Sequence, residues 1–190
     1  MMKFLENYKI LKNRYFRKEN FELCPILPTE IEKIRIWRNE QLRNLRQGKK
    51  ISSKEQVKYF NNIIFKEYSS KYPKNIIFSL KKNSILMGYG GLVHISWNNF
   101  RAEISLVLQT KVENNKRIKF SYFKIFLDLI KDLAFNDIKL KKITTETYSF
   151  RKKEINFLER YGFKREGILK KNIYIKKKSF DSYLHAINFK

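Results

Sequence analysis

Glu103 is the first residue of this chain that invites a chemical reading. It stands in Ala102-Glu103-Ile104, a carboxylate between apolar residues in a β-like run, with Arg101 beside it. Buried there, its pKa would rise, which suits a general base; paired with Arg101, it would be an ordinary strand residue. His94, in Gly91-Leu92-Val93-His94-Ile95-Ser96-Trp97, is the rival. Its imidazole titrates near neutrality and can relay protons, although a lone strand histidine is more often structural. His185 lies in the last strand-like run and is a weaker candidate. Cys24 is the only cysteine. Within Phe21-Glu22-Leu23-Cys24-Pro25 it reads as a small buried strand residue rather than a nucleophile. It has no partner for an intrachain disulfide, which fits a reducing cytoplasm.

Anion binding is the second chemistry the residues suggest. The stretch Glu113-Asn114-Asn115-Lys116-Arg117-Ile118-Lys119-Phe120-Ser121 precedes a helical pattern. Asn114 and Asn115 tolerate left-handed backbone. Lys116, Arg117 and Lys119 can neutralise phosphate, and Ser121 can donate from a first helical turn. The ordinary alternative is a solvated basic loop on a chain that is basic throughout. Net charge is +24 over 190 residues, a field that attracts nucleic acid, acidic membranes or phosphorylated cofactors. The lysines are spread rather than clustered, so compositional drift explains the charge better than nucleic-acid binding, which stays as an alternative. At 43% hydrophobic and 15% aromatic, the chain is expected to fold as one domain. No apolar run reaches the ~20 residues of a membrane span, the N-terminus lacks a secretory segment, and no metal is expected. The protein is expected in the cytoplasm.

These residues need elements to position them. Met1 to Asn13, with Phe4, Leu5, Tyr8 and Leu11, predicts a short amphipathic helix. Asn13–Phe16 and Phe21–Ile26 bracket a turn at residues 17–20. Thr29, with Glu32 three residues on, predicts a capped helix through Ile31, Ile34, Trp37 and Leu42. Ser52 or Ser53 opens another, with Val57, Phe60 and Ile64 on one face. Three strands follow, residues 75–81, 87–97 and 101–109, joined by turns at Lys82-Asn83-Ser84 and Asn98-Asn99. A long helix spans 120–136, residues 142–147 form a strand, and 153–161 a helix that Gly162 caps. A closing hairpin joins 167–175 and 179–188 around Lys176-Lys177-Lys178. This order is α/β of the α+β kind, a mixed, mostly antiparallel sheet flanked by helices.

The stretch Leu158-Glu159-Arg160-Tyr161-Gly162-Phe163-Lys164-Arg165-Glu166-Gly167 is very similar to a signature of the GNAT superfamily of N-acetyltransferases, in the branch holding ribosomal-protein N-terminal and amino-sugar enzymes. Ala134-Phe135 with Leu140-Lys141-Lys142-Ile143, and Gly88-Tyr89-Gly90-Gly91-Leu92, resemble further family segments. Trp37-Arg38-Asn39 resembles a segment of GNAT enzymes that acetylate nucleotide-linked 4-amino sugars. The resemblance covers residues 21–189, leaving 1–20 as an extension packed on the domain 21–190.

The resemblance implies direct transfer of acetyl from acetyl-CoA to a primary amine. It implies that backbones of Leu106, Val107 and Leu108 hold pantetheine on a strand splayed from its neighbour. It implies that residues 114–121 hold the diphosphate, although the family's glycines are absent there and binding would run through side chains. Arg151 replaces an asparagine often found before the last helix and would affect how the cofactor is held. Glu103 falls where several members carry the base. The family's acidic tyrosine aligns with Leu158, which cannot donate, so Tyr161, Tyr148 and Tyr174 are the substitutes. Trp37, Arg38, Asn39 and Arg43 would face the acceptor, a small amine such as a nucleotide-linked sugar. A protein N-terminus as acceptor, or a degenerate domain that binds nucleic acid, are the alternatives. Oligomeric state, including a homodimer, is left open.

Overall fold

The computed structural model describes residues 7–189. Strands β1 (Phe16–Lys18) and β2 (Phe21–Pro25) form a hairpin whose turn residue Glu19 has φ 54°. Helix α1 (Ile31–Glu40) follows a 3₁₀ turn at Pro28–Glu30. Helix α2 (Ser53–Tyr59) runs through a π-helical turn (Phe60–Ile64) into α3 (Phe65–Glu67). The meander β3 (Ile76–Lys82), β4 (Ile85–Ser96) and β5 (Arg101–Leu108) comes next. A short α4 (Thr110–Asn114) leads to the long α5 (Lys116–Asp132). Then come β6 (Lys142–Tyr148), α6 (Lys152–Tyr161), β7 (Lys164–Ile175) and β8 (Lys178–Asn188).

One eight-stranded sheet runs β1-β2-β3-β4-β5-β6-β8-β7, and only the β5–β6 pair is parallel. The mixed, mostly antiparallel sheet with flanking helices is the architecture the element order implied. The tight turns follow their chemistry: Asn83 and Ser84 between β3 and β4, and Lys176 and Lys177 between β7 and β8, all have positive φ. Central β3 reads Ile-Ile-Phe-Ser-Leu and is buried throughout those residues, as a strand covered on both faces should be. Phe126, Leu127 and Ile130 of α5 are buried in the same core as Leu80 and Leu92 of the sheet.

Several expectations need correction. Phe4 and Leu5 lie outside the described residues, and Tyr8 and Leu11 lie in an irregular stretch, not a helix. Both are nevertheless buried, and Tyr8 Oη is fixed by the backbone of Ile77. Thr29 does not cap α1. The Glu30 carboxylate accepts from Leu27 N–H at 2.9 Å, while Glu32 pairs with Arg35 and Ser53. Ser52, not Ser53, caps α2, in a reciprocal box with Glu55 worth about 1 kcal/mol. Val57 is exposed and Gln56 buried: Gln56, Phe60 and Ile64, four residues apart, form the inward row. The long helix begins at Lys116 rather than Phe120, since Asn115 Oδ1 accepts from the N–H groups of Arg117 and Ile118 and starts it there.

Candidate functional site

Strands β5 and β6 pair only at Arg101–Lys142, Ala102–Ile143 and Glu103–Thr144. Beyond Glu103 they part, while β5 stays in register with β4 as far as Leu108 and β6 with β8 as far as Tyr148. The gap is a cleft of about 550 Å³, lined by β5 from Glu103 to Leu108, by Thr145 to Tyr148 of β6, and by the N-terminal ends of α5 and α6.

Backbone direction along β5 follows from one hydrogen bond. Gln109 N–H donates to Met87 C=O at 2.7 Å. Antiparallel pairing alternates, so Val107, Ser105 and Glu103 turn their backbone groups to β4, and Leu108, Leu106 and Ile104 turn theirs to the β6 side. Of the three residues expected to hold a cofactor arm, Leu106 therefore offers both groups, while Val107 faces β4. Leu108 has its carbonyl taken by Gln41 Nε2 at 2.8 Å. Ile104 turns its carbonyl to the gap, while its N–H is the last ladder donor to β6, paired with Thr144 by the Glu103–Thr144 register.

At the inner end of the gap, His94 and Glu103 meet. A bulge between Val93 and Ser96 interrupts the β4–β5 register, and His94 takes φ 51° within it. His94 Nδ1 then lies 3.1 Å from Glu103 Oε2. Arg46, from the loop before α2, donates to Glu103 Oε1 at 2.7 Å and to Glu146 Oε2 at 2.5 Å. Asn172 of β7 donates to the other Glu146 oxygen. The two candidate bases are thus one constellation. Glu103 does not pair with Arg101 and keeps 22% side-chain exposure, so the buried carboxylate expected from its neighbours is not what forms. Arg46 and Glu146 escaped the sequence reading; a carboxylate in the β-branched run Thr144-Thr145-Glu146-Thr147 was the available signal.

Tyr148 closes β6, lines the cleft and is buried, with no hydrogen-bond partner for its hydroxyl among the described residues. Burial holds the phenol above its ordinary pKa, more than the nearby Arg46 lowers it. Tyr161 lies elsewhere: its hydroxyl donates to Asp128 Oδ1 at 2.6 Å, with its ring beside Phe157 and Phe163. Burial and the Asp128 carboxylate keep it protonated, and it does not line the cleft. Tyr174 is exposed near the tip of the β7–β8 hairpin, and His185 is fully buried against Glu159.

At the outer end, Lys119 and Arg151 line the cleft but are already engaged. Lys119 Nζ donates to Glu113 Oε1 at 2.6 Å and also to Glu154; Arg151 Nη2 lies 3.5 Å from each carboxylate. Burial alone would raise the Glu154 carboxyl, but Arg151 and Lys119 outweigh it and hold it low. Asn114, Lys116, Arg117 and Ser121 are exposed, and Ser121 donates to Ile118 C=O within its own turn.

The residues expected to face the acceptor divide. Trp37 is a core residue. Asn39 accepts from Ile51 N–H and donates to Ile51 C=O, bracing the loop to α2. Arg38 lines the cleft, donating to Tyr89 Oη at 2.6 Å, and Arg43 stacks 4.8 Å over the Phe150 ring. No group of three or more His, Cys, Asp or Glu among the described residues could hold a metal, and no described helix is long and apolar enough to cross a membrane.

Comparison with known proteins agrees with this geometry. A spermidine N-acetyltransferase from Vibrio cholerae, solved with CoA and spermine, superposes with TM-score 0.77 at 18% identity, covering 90% of this chain and 96% of that one. A GNAT-family acetyltransferase from Bacillus anthracis gives 0.71 at 18% identity, covering 92% and 98%. A probable GNAT-family acetyltransferase from Chromobacterium violaceum gives 0.73 at 13% identity, covering 99% and 92%. No curated protein matches the sequence. At these identities the superpositions establish the fold. The family rests on the sequence model for the acetyltransferase (GNAT) domain, which matches residues 26–184: the chain belongs to the GNAT acetyltransferase domain family and is an acetyltransferase of that type.

Proposed function

We propose that the protein moves the acetyl group of acetyl-CoA to the primary amine of a small cationic acceptor in the β5–β6 cleft. The observation that carries this reading is the parting of the two strands directly beside Glu103, His94 and Glu146. When bound, acetyl-CoA supplies the acetyl group activated as a thioester. The open N–H and C=O groups of Leu106, with the carbonyl of Ile104, suit the amides of its pantetheine arm. Glu103 takes the proton from the acceptor's ammonium group, with His94 hydrogen-bonded to it as relay. Tyr148, kept protonated by burial, gives a proton to the departing sulfur. Glu103 and Glu146 favour a cationic acceptor, whose ammonium group replaces the Arg46 guanidinium between them.

The spermidine enzyme that shares this fold acts on such an amine. A nucleotide-linked amino sugar is the second reading, favoured by the cleft-lining Arg38 and by Arg43, groups suited to a diphosphate. It has less support, since Trp37 and Asn39 are occupied in packing and in bracing the loop. The test is acetyl transfer from acetyl-CoA to spermidine, to a nucleotide-linked amino sugar and to a peptide N-terminus. A higher kcat/KM for spermidine is expected. Preference for the sugar nucleotide would reverse the order of the two readings, and turnover of none would defeat both.

A further inference from the structure

The parting of β5 and β6 continues into the helices that follow them. β5 runs into α4 and α5, and β6 into α6, so the N-terminal ends of α5 and α6 flank the outer end of the cleft. Four charges span that gap. Lys119, in the second turn of α5, and Arg151, at the cap of α6, are positive; Glu113, on α4, and Glu154, in the first turn of α6, are negative. Glu113 Oε1 accepts from Lys119 at 2.6 Å and lies 3.5 Å from Arg151, and Glu154 contacts the same two cations. The side chains of Lys119, Glu113 and Glu154 are nearly buried. The cluster has no net charge, so it exerts no long-range pull on an anion. Close by, Asn115 Oδ1 accepts from the N–H groups of Arg117 and Ile118. Lys119, Arg151 and the first N–H groups of α5 are therefore engaged by the chain's own oxygen atoms, while the side chains of Lys116 and Arg117 stay exposed.

We propose that Glu113 is an internal stand-in for the cofactor's diphosphate, clasping the outer end of the cleft until acyl-CoA takes Lys119 and Arg151 from it. The inference rests on the acyl-CoA reading above. A carboxylate and a diphosphate make the same charge-assisted bonds to ammonium and guanidinium groups, and the diphosphate brings more oxygens and more charge. A rotamer change at Glu113 frees one side of both cations, while Glu154 keeps them in place. While the clasp is closed, apparent cofactor affinity is reduced by the fraction of molecules that are open. Glu113 thus sets cofactor affinity, a role the basic surface alone does not explain.

Calorimetric titration of CoA, and of pantetheine, which lacks the diphosphate, tests this on the wild-type chain, Glu113→Gln and Glu113→Asp. Glu113→Gln is expected to bind CoA about tenfold tighter. Glu113→Asp, with the same charge and a shorter reach, should gain a smaller factor, and pantetheine affinity should not change in either. CoA affinity that is unchanged or weaker in Glu113→Gln, or a matching gain for pantetheine, overturns the clasp. Should Glu113→Gln fail to fold, Glu113→Asp decides, and wild-type CoA affinity in that variant overturns it. Wild-type binding of CoA with unaltered variants removes only the clasp, whereas no CoA binding by any of the three proteins removes the acyl-CoA reading as well.

Discussion

Replacing Gly90 by alanine tests whether β4 must lie flush on β5 for the cleft edge to exist. A Cβ at Gly90 would stand 2.2 Å from the Ser105 carbonyl oxygen, 2.9 Å from Leu106 Cα and 3.0 Å from Phe126 Cζ. The first two atoms are β5 backbone, so the clash is relieved only if the strands move apart. Overpacking of this kind costs about 1–3 kcal/mol. For a chain of this size each kcal/mol lowers Tm by about 2–4 °C, so a fall of about 2–12 °C is expected. Leu106 is the residue with both backbone groups open to the gap, so its displacement should also diminish the thermal shift given by acetyl-CoA. Differential scanning fluorimetry with and without acetyl-CoA reads both effects. Gly48→Ala, where nothing lies within 4 Å, is the control and should change stability by no more than about 0.5 kcal/mol. A Gly90→Ala protein that melts with the wild type and keeps the full acetyl-CoA shift would refute the reasoning.

Four further outcomes follow from the site and its surroundings. Glu103→Gln should lower kcat by about 10²–10⁴, as loss of a general base does, while leaving CoA affinity near wild type; undiminished kcat would remove Glu103 from the base role. Tyr148→Phe should lower kcat by a comparable factor with KM for the amine little changed, and Tyr161→Phe should not, a contrast that steady-state kinetics reads directly. Burial would raise the Asp128 carboxyl, but hydrogen bonds from Lys18, Tyr161 and Lys124 bring it down to about 2. A depressed folded-state pKa gives stability that is full above about pH 4, the unfolded value, and is lost as pH falls through about 2. Asp128→Asn should therefore flatten the fall of the urea midpoint in that window. Burial pushes the Cys24 thiol up to about 11, more than Lys81 lowers it. Alkylation at pH 8 should be slow in the native protein and fast in urea, and fast native labelling would contradict the packing of β2.

Much of the architecture was legible because its signals are local. Gly162, with φ 113°, ends α6 as its place after Tyr161 required, and Leu158 and Phe163 on either side of it are buried. The meander could be read from Asn83-Ser84 and Asn98-Asn99, and β3 from its apolar run. What stayed hidden depends on tertiary pairing. The start of α5 escaped because Lys116 to Lys119 carry no inward periodicity until Asn115 is known to cap them. One position of the α2 face was hidden because a polar residue, Gln56, takes the inward place that apolar Val57 advertised. Glu103 and His94 could be named from sequence, but their meeting depends on a bulge at His94. Arg46 and Glu146 come from a distant loop and a neighbouring strand. Lys119 looked like a free phosphate ligand, since its charge was visible and the two carboxylates that engage it were not.

The open edge of β5 is the claim on which the transferase mechanism stands, and backbone hydrogen exchange reads it residue by residue. With saturating acetyl-CoA, the amide of Leu106 should gain protection while those of Val107, already paired to β4, and Ile104, already paired to β6, should change little. Protection confined to other segments, with Leu106 exchanging at its free-protein rate, would contradict the account.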